Sequence, residues 1–242
     1  MEAISHVFCL TLDIDWAHDA VIADALALVE RHGRKATWFV THATPVLDEI
    51  RAAGGHELGL HPNLNPSFDG GTEPARDVVL RLRDIVADAR AVRCHSLVRS
   101  SRLGLMFREL GLTHESNYLV PPNAGGGLGA WRDFTGLVEV PIRWEDDIRL
   151  MDSSLGEPAE HLHVLDPYVV DFHPIHVYLN SVTPADYEDA RGDAQHPDRL
   201  LQRRRPAGSG GTRDKLIALL EAARVSRTPS CVVRAIRPAA ES

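Results

Sequence analysis

The stretch His6-Val7-Phe8-Cys9-Leu10-Thr11-Leu12-Asp13-Ile14-Asp15-Trp16 decides the fold. It is an apolar run that ends in two aspartates separated by one residue. A β-strand alternates its faces, so Asp13 and Asp15 are predicted to share one. Two carboxylates on one face repel each other unless a cation, or a division of labour between base and ligand, holds them. The plainer reading is that an aspartate there caps the next helix.

Outward from this stretch, apolar runs alternate with amphipathic segments. A helix is predicted over 19–31, with Val21, Ile22, Leu26 and Val29 on one face. Strands follow at 35–40, 56–61 and 92–98, separated by helices at 44–53 and 74–90, and a further helix covers 101–110. Further strands are expected at 114–120, 136–144 and 167–177, with a Gly/Pro-rich loop at 121–131. Residues 186–212 are charged and small, end in Gly-Ser-Gly-Gly-Thr, and read as a flexible insertion. Thr212 caps a last helix, 213–225, before a possible return strand at 231–236. Alternation of this kind indicates an α/β chain with a parallel sheet. Seven or eight units favour a barrel, in one domain spanning 1–242.

Composition narrows the function classes. With 242 residues and 44% hydrophobic content the chain can bury one core. A net charge of −8 argues against a nucleic-acid surface. No run approaches the ~18 apolar residues of a membrane helix, and the start lacks a basic segment followed by a long apolar one. Cys9, Cys94 and Cys231 form no CxxC pair and read as reduced thiols of a cytoplasmic protein. No GxGxxG or P-loop is present, and Gly125–Gly129 sits in a loop without phosphate-binding context. Thirteen histidines hint at metal or proton chemistry.

Ionisable residues collect where strands end, as catalytic groups of a barrel do. His61 closes Glu57-Leu58-Gly59-Leu60-His61 and reads as a ligand or a loop histidine. Arg93 lies inside an apolar strand, where it could keep a carboxylate ionised. His95, on the same predicted face, could ligate a metal or bind substrate. His173 follows another apolar run and could be a general acid. Asp171 could orient it or be a barrel-layer residue. His176 is a second ligand or a substrate contact. The acidic run at 144–150 reads as a solvated face, or, with Trp144 and Asp146, as a rim that contacts substrate.

Together these motifs resemble the polysaccharide deacetylase superfamily, carbohydrate esterase family 4, also called the NodB homology domain. Thr11-Leu12-Asp13-Ile14-Asp15-Trp16 is similar to its first motif, Gly55-His56-Glu57-Leu58-Gly59-Leu60-His61 to the lead-in of its second, and Val170-Asp171-Phe172-His173-Pro174 to its last. The resemblance implies a distorted (β/α)7-type barrel. It implies a hydrolase that removes N-acetyl groups from a sugar or polysaccharide precursor with a divalent metal, zinc first and cobalt, nickel or manganese next. Asp13 would be the base, Arg93 its partner, His173 the acid, and Asp15 and His61 metal ligands. Trp16, Asn65, His176, Trp144 and Asp146 would contact substrate. The sequence departs from the family where a second histidine is due, because Asn65 stands there. His95, in place of a proline of the third motif, would restore the third ligand, with the Asn65 amide oxygen as its rival. Two alternatives remain: an amidohydrolase opening cyclic imides or ureides on the same scaffold, and an inactive barrel that binds a glycan or a protein.

Overall fold

We describe the protein from a computed structural model. The described residues are 8–124, 129–162, 165–223 and 226–230, so the expected strand at 231–236, Cys231 and most of the glycine run lie outside them. The first half runs β1 (Phe8–Asp13), α1 (Asp19–Arg31), β2 (Ala36–Val40), α2 (Val46–Ala53), β3 (Glu57–Leu60), α3 (Asn65–Phe68), α4 (Ala75–Ile85), β4 (Ala91–Val92), α5 (Ser101–Glu109) and β5 (His114–Glu115). The second half runs β6 (Trp131–Arg132), β7 (Val138–Glu139), β8 (Trp144–Glu145), α6 (Asp146–Met151), β9 (Tyr168–Phe172), α7 (Pro174–Leu179), α8 (Pro184–Ala190), α9 (Pro197–Arg203) and α10 (Thr212–Ala222).

All six residues of β1 are buried. Only a strand covered on both faces can be buried throughout, and β1 lies at the sheet's middle, parallel to β2 on one side and β9 on the other. The sheet order is β6-β7-β5-β4-β3-β2-β1-β9-β8. It comes round on itself through one extended stretch, 138–145. The amides of Val138, Val140 and Ile142 donate to the carbonyls of Thr113, Glu115 and Tyr118, and the next amide, Arg143, donates to Val169 on β9. Counting that stretch once gives seven parallel positions, the expected distorted (β/α)7-type barrel, with β6 added antiparallel outside. Among the described residues no helix is long and apolar enough to cross a membrane.

α1 buries Val21, Ile22, Leu26 and Val29, the face read from its spacing, together with Ala25 and Leu28. Cys9 and Cys94 are both buried. Three expectations are corrected. The strand expected to 177 ends at Phe172, because Pro174 sets the first turn of α7 and places His176 on that helix. The strand at 92–98 is two residues long, and His95 lies in a 3-10 turn whose Ser96 has φ +58°. Residues 186–212, expected as a flexible insertion, carry the end of α8, a 3-10 turn at Arg191–Asp193 and α9, and both helices pack on α7. Leu200 anchors α9 in the core.

Beside the closing stretch, Glu115 and Glu139 stand in register on β5 and β7, both nearly inaccessible. The Asn117 side chain donates to Glu115 at 2.9 Å and its backbone amide to Glu139 at 3.0 Å. Burial first, then the charge of Glu115, pushes the Glu139 carboxyl well above the ordinary range. Burial likewise raises Glu115. A carboxyl whose pKa rises on folding favours the fold while protonated and loses that contribution as pH climbs through its folded value. Thermal unfolding should therefore fall from pH 6 to pH 9. Glu139→Gln, which keeps the shape without the charge, should flatten that fall and raise the midpoint at pH 9 by about 2–4 °C for each kcal/mol recovered. Equal slopes in the two proteins would show that the pair ionises without cost.

Candidate active site

Arg93 is the hub of the barrel interior. Its side chain is fully buried, and all its donor groups have partners. Nε donates to the Ser116 carbonyl at 3.2 Å and Nη2 to the Ser116 hydroxyl at 3.0 Å. Nη1 faces Thr11 at 2.9 Å, Asp13 at 2.9 Å and Asp171. The guanidinium also lies 4.3 Å over the Phe39 ring. Burial pulls its pKa down, but the charges of Asp13, Asp171 and Glu145 more than reverse this, so the group stays charged.

β1 ends at Asp13, and the chain then turns through Asp15 and Trp16 at φ +36° and +54°. Strand alternation therefore does not place Asp15. A left-handed turn does, an uncommon backbone for either residue type. The two aspartates converge on His61, which follows β3. His61 Nδ1 is 3.5 Å from Asp13 Oδ2, and Nε2 is 3.1 Å from Asp15 Oδ1. His95 Nδ1 reaches the same Asp15 oxygen at 3.4 Å. One ligand atom each from Asp15, His61 and His95 lies within 4.8 Å of the others.

These atoms fit a cation better than they fit one another. Asp15 Oδ1 and both nitrogens of His61 are buried without a hydrogen bond of acceptable geometry, a costly state for polar atoms in a dry interior. Two imidazoles and a carboxylate are a donor set for zinc or a neighbouring divalent metal. Burial raises Asp15, yet the imidazoles of His61 and His95 outweigh it and hold the carboxyl well below the usual range, ionised as a ligand must be. The Asn65 amide does not enter this group. Its Nδ2 donates to the Ser96 hydroxyl at 3.2 Å, bracing the turn that carries His95.

His173 stands on the far side of Asp15, with Nε2 3.6 Å from Asp15 Oδ2. Its orienting partner is Asp146 and not Asp171. His173 Nδ1 lies 2.7 Å from Asp146 Oδ1, and the His173 backbone amide donates to Asp146 Oδ2 at 2.8 Å. Asp171 is occupied by Arg93 and by the Thr11 hydroxyl at 2.7 Å. Burial lowers the His173 pKa, but Asp147 and Asp146 more than offset this and raise it well above its ordinary value.

The acidic run 144–147 is thus no solvated face. Trp144 is fully buried, its ring 4.9 Å from Phe172 and its Nε1 donating to the Gly156 carbonyl at 3.1 Å. It is a core residue and cannot contact substrate. Asp146 is 1% exposed, so its expected place on a substrate rim is also corrected. Glu145, with no role read from sequence, has a buried oxygen without a partner, and burial pushes it up to about 7. The missed signal was positional: an apolar stretch ending in acidic residues is the pattern that singled out Asp13 and Asp15. A cavity of about 240 Å³ opens over the cluster, lined by Asp15, Trp16, His95, Asp147, His173 and His176. Tyr187 and Arg191 of the 186–212 segment complete its wall.

The strand ends of the barrel thus bring together two imidazoles and a carboxylate that could hold a metal ion, an arginine-held carboxylate and an aspartate-held imidazole. The family model described as WbmS-like polysaccharide deacetylase matches residues 10–191, and the chain belongs to that family. It is similar to a Bordetella bronchiseptica structure described as a candidate polysaccharide deacetylase involved in O-antigen biosynthesis, at 38% identity over 90% of both chains and a TM-score of 0.82. More distant structures share the fold. Peptidoglycan deacetylase PdaC of Bacillus subtilis is 13% identical over 97% of this chain and 93% of its own, with a TM-score of 0.52. A family 4 carbohydrate esterase of Streptomyces lividans, solved with acetate, is 12% identical over 93% of each chain, with a TM-score of 0.51. No curated protein matches the sequence.

The ligand set makes a direct prediction. His61→Ala and His95→Ala should each lower bound divalent metal from near one equivalent to below about a tenth, by mass spectrometry after zinc loading. Asn65 bonds to no proposed ligand and only braces the turn that carries His95, so Asn65→Ala should retain most of it. Loss with Asn65→Ala and retention with His95→Ala would reverse the assignment.

Proposed function

We propose that this chain is a metal-dependent hydrolase that removes an N-acetyl group from a sugar or a polysaccharide precursor. One observation carries the reading: the Asp15–His61–His95 group lies between a carboxylate fixed by Arg93 and an imidazole fixed by Asp146. A divalent cation, zinc by the donor set, held by Asp15, His61 and His95, would supply Lewis-acid polarisation of the acetamide carbonyl and lower the pKa of a water. Asp13, which accepts from Arg93 at 2.9 Å, takes the water's proton. Arg93 stabilises the base as a carboxylate and fixes its orientation. His173 carries a proton on Nε2 and delivers it to the leaving nitrogen, while Asp146 holds the other ring nitrogen and sets the ring's angle. The cavity beside Trp16 would receive the sugar ring. The acetamido chemistry is favoured over cyclic imides by the family to which the chain belongs.

The test is acetate release from a panel of N-acetylated sugars by zinc-loaded protein. Asp13→Asn should lower kcat by about 10²–10⁴, the usual contribution of a positioned proton-transfer group. Full activity in that variant on every active substrate would overturn the base assignment. The pH profile gives a second check. Asp147 and Asp146 raise His173, so activity should be lost only as pH climbs through that raised value. Asp146→Asn removes part of the cause, and the alkaline limb should move to lower pH with a fall in kcat. An unmoved limb would mean that another group donates the proton.

A further inference from the structure

Asp147 takes and gives no proton in the transfers above, where it acts on His173 only through its charge, yet it is built into the same cavity. Its Oδ1 lies 2.7 Å from His176 Nε2 and its Oδ2 3.9 Å from His173 Nε2. His176 is itself buried, with Nδ1 3.1 Å from the Ser181 hydroxyl and the Tyr187 ring packed edge-on at 5.2 Å. A proton on Nε2 of His176 donates to Asp147, and Ser181 satisfies the other nitrogen. A carboxylate that served only to solubilise the rim would not need a buried imidazole to fix it.

The second distance decides what Asp147 faces. An atom that takes a proton from His173 must come within about 3 Å of Nε2. With Asp147 Oδ2 only 3.9 Å from that nitrogen, the same atom can stand in hydrogen-bond contact with the carboxylate. In the proposed reaction that atom is the acetamide nitrogen. The N–H of the intact amide is neutral. When the C–N bond breaks, the electron pair stays on nitrogen, which has taken the His173 proton. The amine then binds the proton released by acetic acid, which leaves an ammonium and acetate. Positive charge therefore develops at the one place where a fixed carboxylate waits, and a charged donor is bound about twice as strongly as a neutral one.

We propose that Asp147, presented by His176, is the anchor for the sugar nitrogen as it becomes an ammonium, so that the site binds the deacetylated amino sugar more tightly than the acetylated one. This rests on the hydrolase reading above. The test is binding to zinc-loaded protein, followed by NMR titration with methyl glycosides of glucosamine, galactosamine and mannosamine and with their N-acetyl counterparts. For wild type, the best amine is expected to bind better than its acetamide. In Asp147→Asn the amine should lose at least tenfold while the acetamide changes less than threefold, and Asp147→Glu should restore part of the difference. His176→Asn, which keeps a donor of shorter reach, should give an intermediate loss. Added salt should narrow the gap in wild type and leave Asp147→Asn unaffected. An amine affinity unchanged in Asp147→Asn, or equal losses for amine and acetamide, would overturn the proposal. So would a wild type that prefers the acetamide and still releases acetate, a result that leaves the hydrolase reading standing. A wild type that neither binds these sugars nor releases acetate overturns both.

Discussion

One buried cation organises this barrel. Placing a guanidinium in a dry interior costs several kcal/mol unless its charge and donors are met. Arg93 is met from four directions: Thr11 and Asp13 on β1, Asp171 on β9 and Ser116 after β5. Those contacts span the barrel, so the need to satisfy one side chain holds several of its strands in fixed mutual positions. Ser116 in turn donates to the Val140 carbonyl of the closing stretch. Arg93, the proposed partner of the base, is thus also the polar centre around which the barrel is built. Removing either partner of such an arrangement leaves an uncompensated charge in low dielectric, which is why stability and chemistry cannot be varied independently here.

The carboxylates of the interior follow from the same electrostatics. Asp13 and Asp15 do not simply repel. Asp13 leans on Arg93, Asp15 on the imidazoles of His61 and His95, and His61 separates the two. Glu145 and Asp171 are raised instead, because burial outweighs the cations beside them, Arg93 on Asp171 included. The division of labour suggested by the paired aspartates is visible as a difference of neighbours, and it does not require the two side chains to share a strand face.

The sequence made the long, periodic elements legible. β1, α1, β2, α2 and β3 occupy nearly the residues that alternation, capping and Gly54-Gly55 indicated. So were Asp13, Asp15, His61, Arg93, His95 and His173, which the fold brings to one end of the barrel. What was not legible depends on tertiary company. Pro174 reads equally as the end of a strand or the start of a helix, and only packing on α1 and α10 shows the latter. Alternation put Asp171 on the face of His173, but register pairs Thr11 with Asp171 and so commits it to Arg93, and Asp146 on a different strand end takes His173 instead. Glu145, Asp146 and Asp147 look like surface because charge runs usually are. The burial of Asp146 and the partial burial of Glu145 and Asp147 come from barrel closure, which no local pattern announces. The excess of histidine was an ambiguous signal: His18 caps α1, and His56 accepts from Ala36 and Trp38 while facing Glu30, roles with no bearing on the site.

The closing stretch 138–145 carries a further implication. The three proposed metal ligands follow β1, β3 and β4, on the side of the sheet away from the seam, whereas Asp146 follows β8 directly and fixes His173 across it. The two halves of the site therefore answer to different parts of the fold. A molecule whose seam has parted could still hold its cation while its proton donor swings free. A full complement of metal would then certify one wall of the barrel and say nothing of turnover, and a purified sample could be uniform by the first measure and mixed by the second.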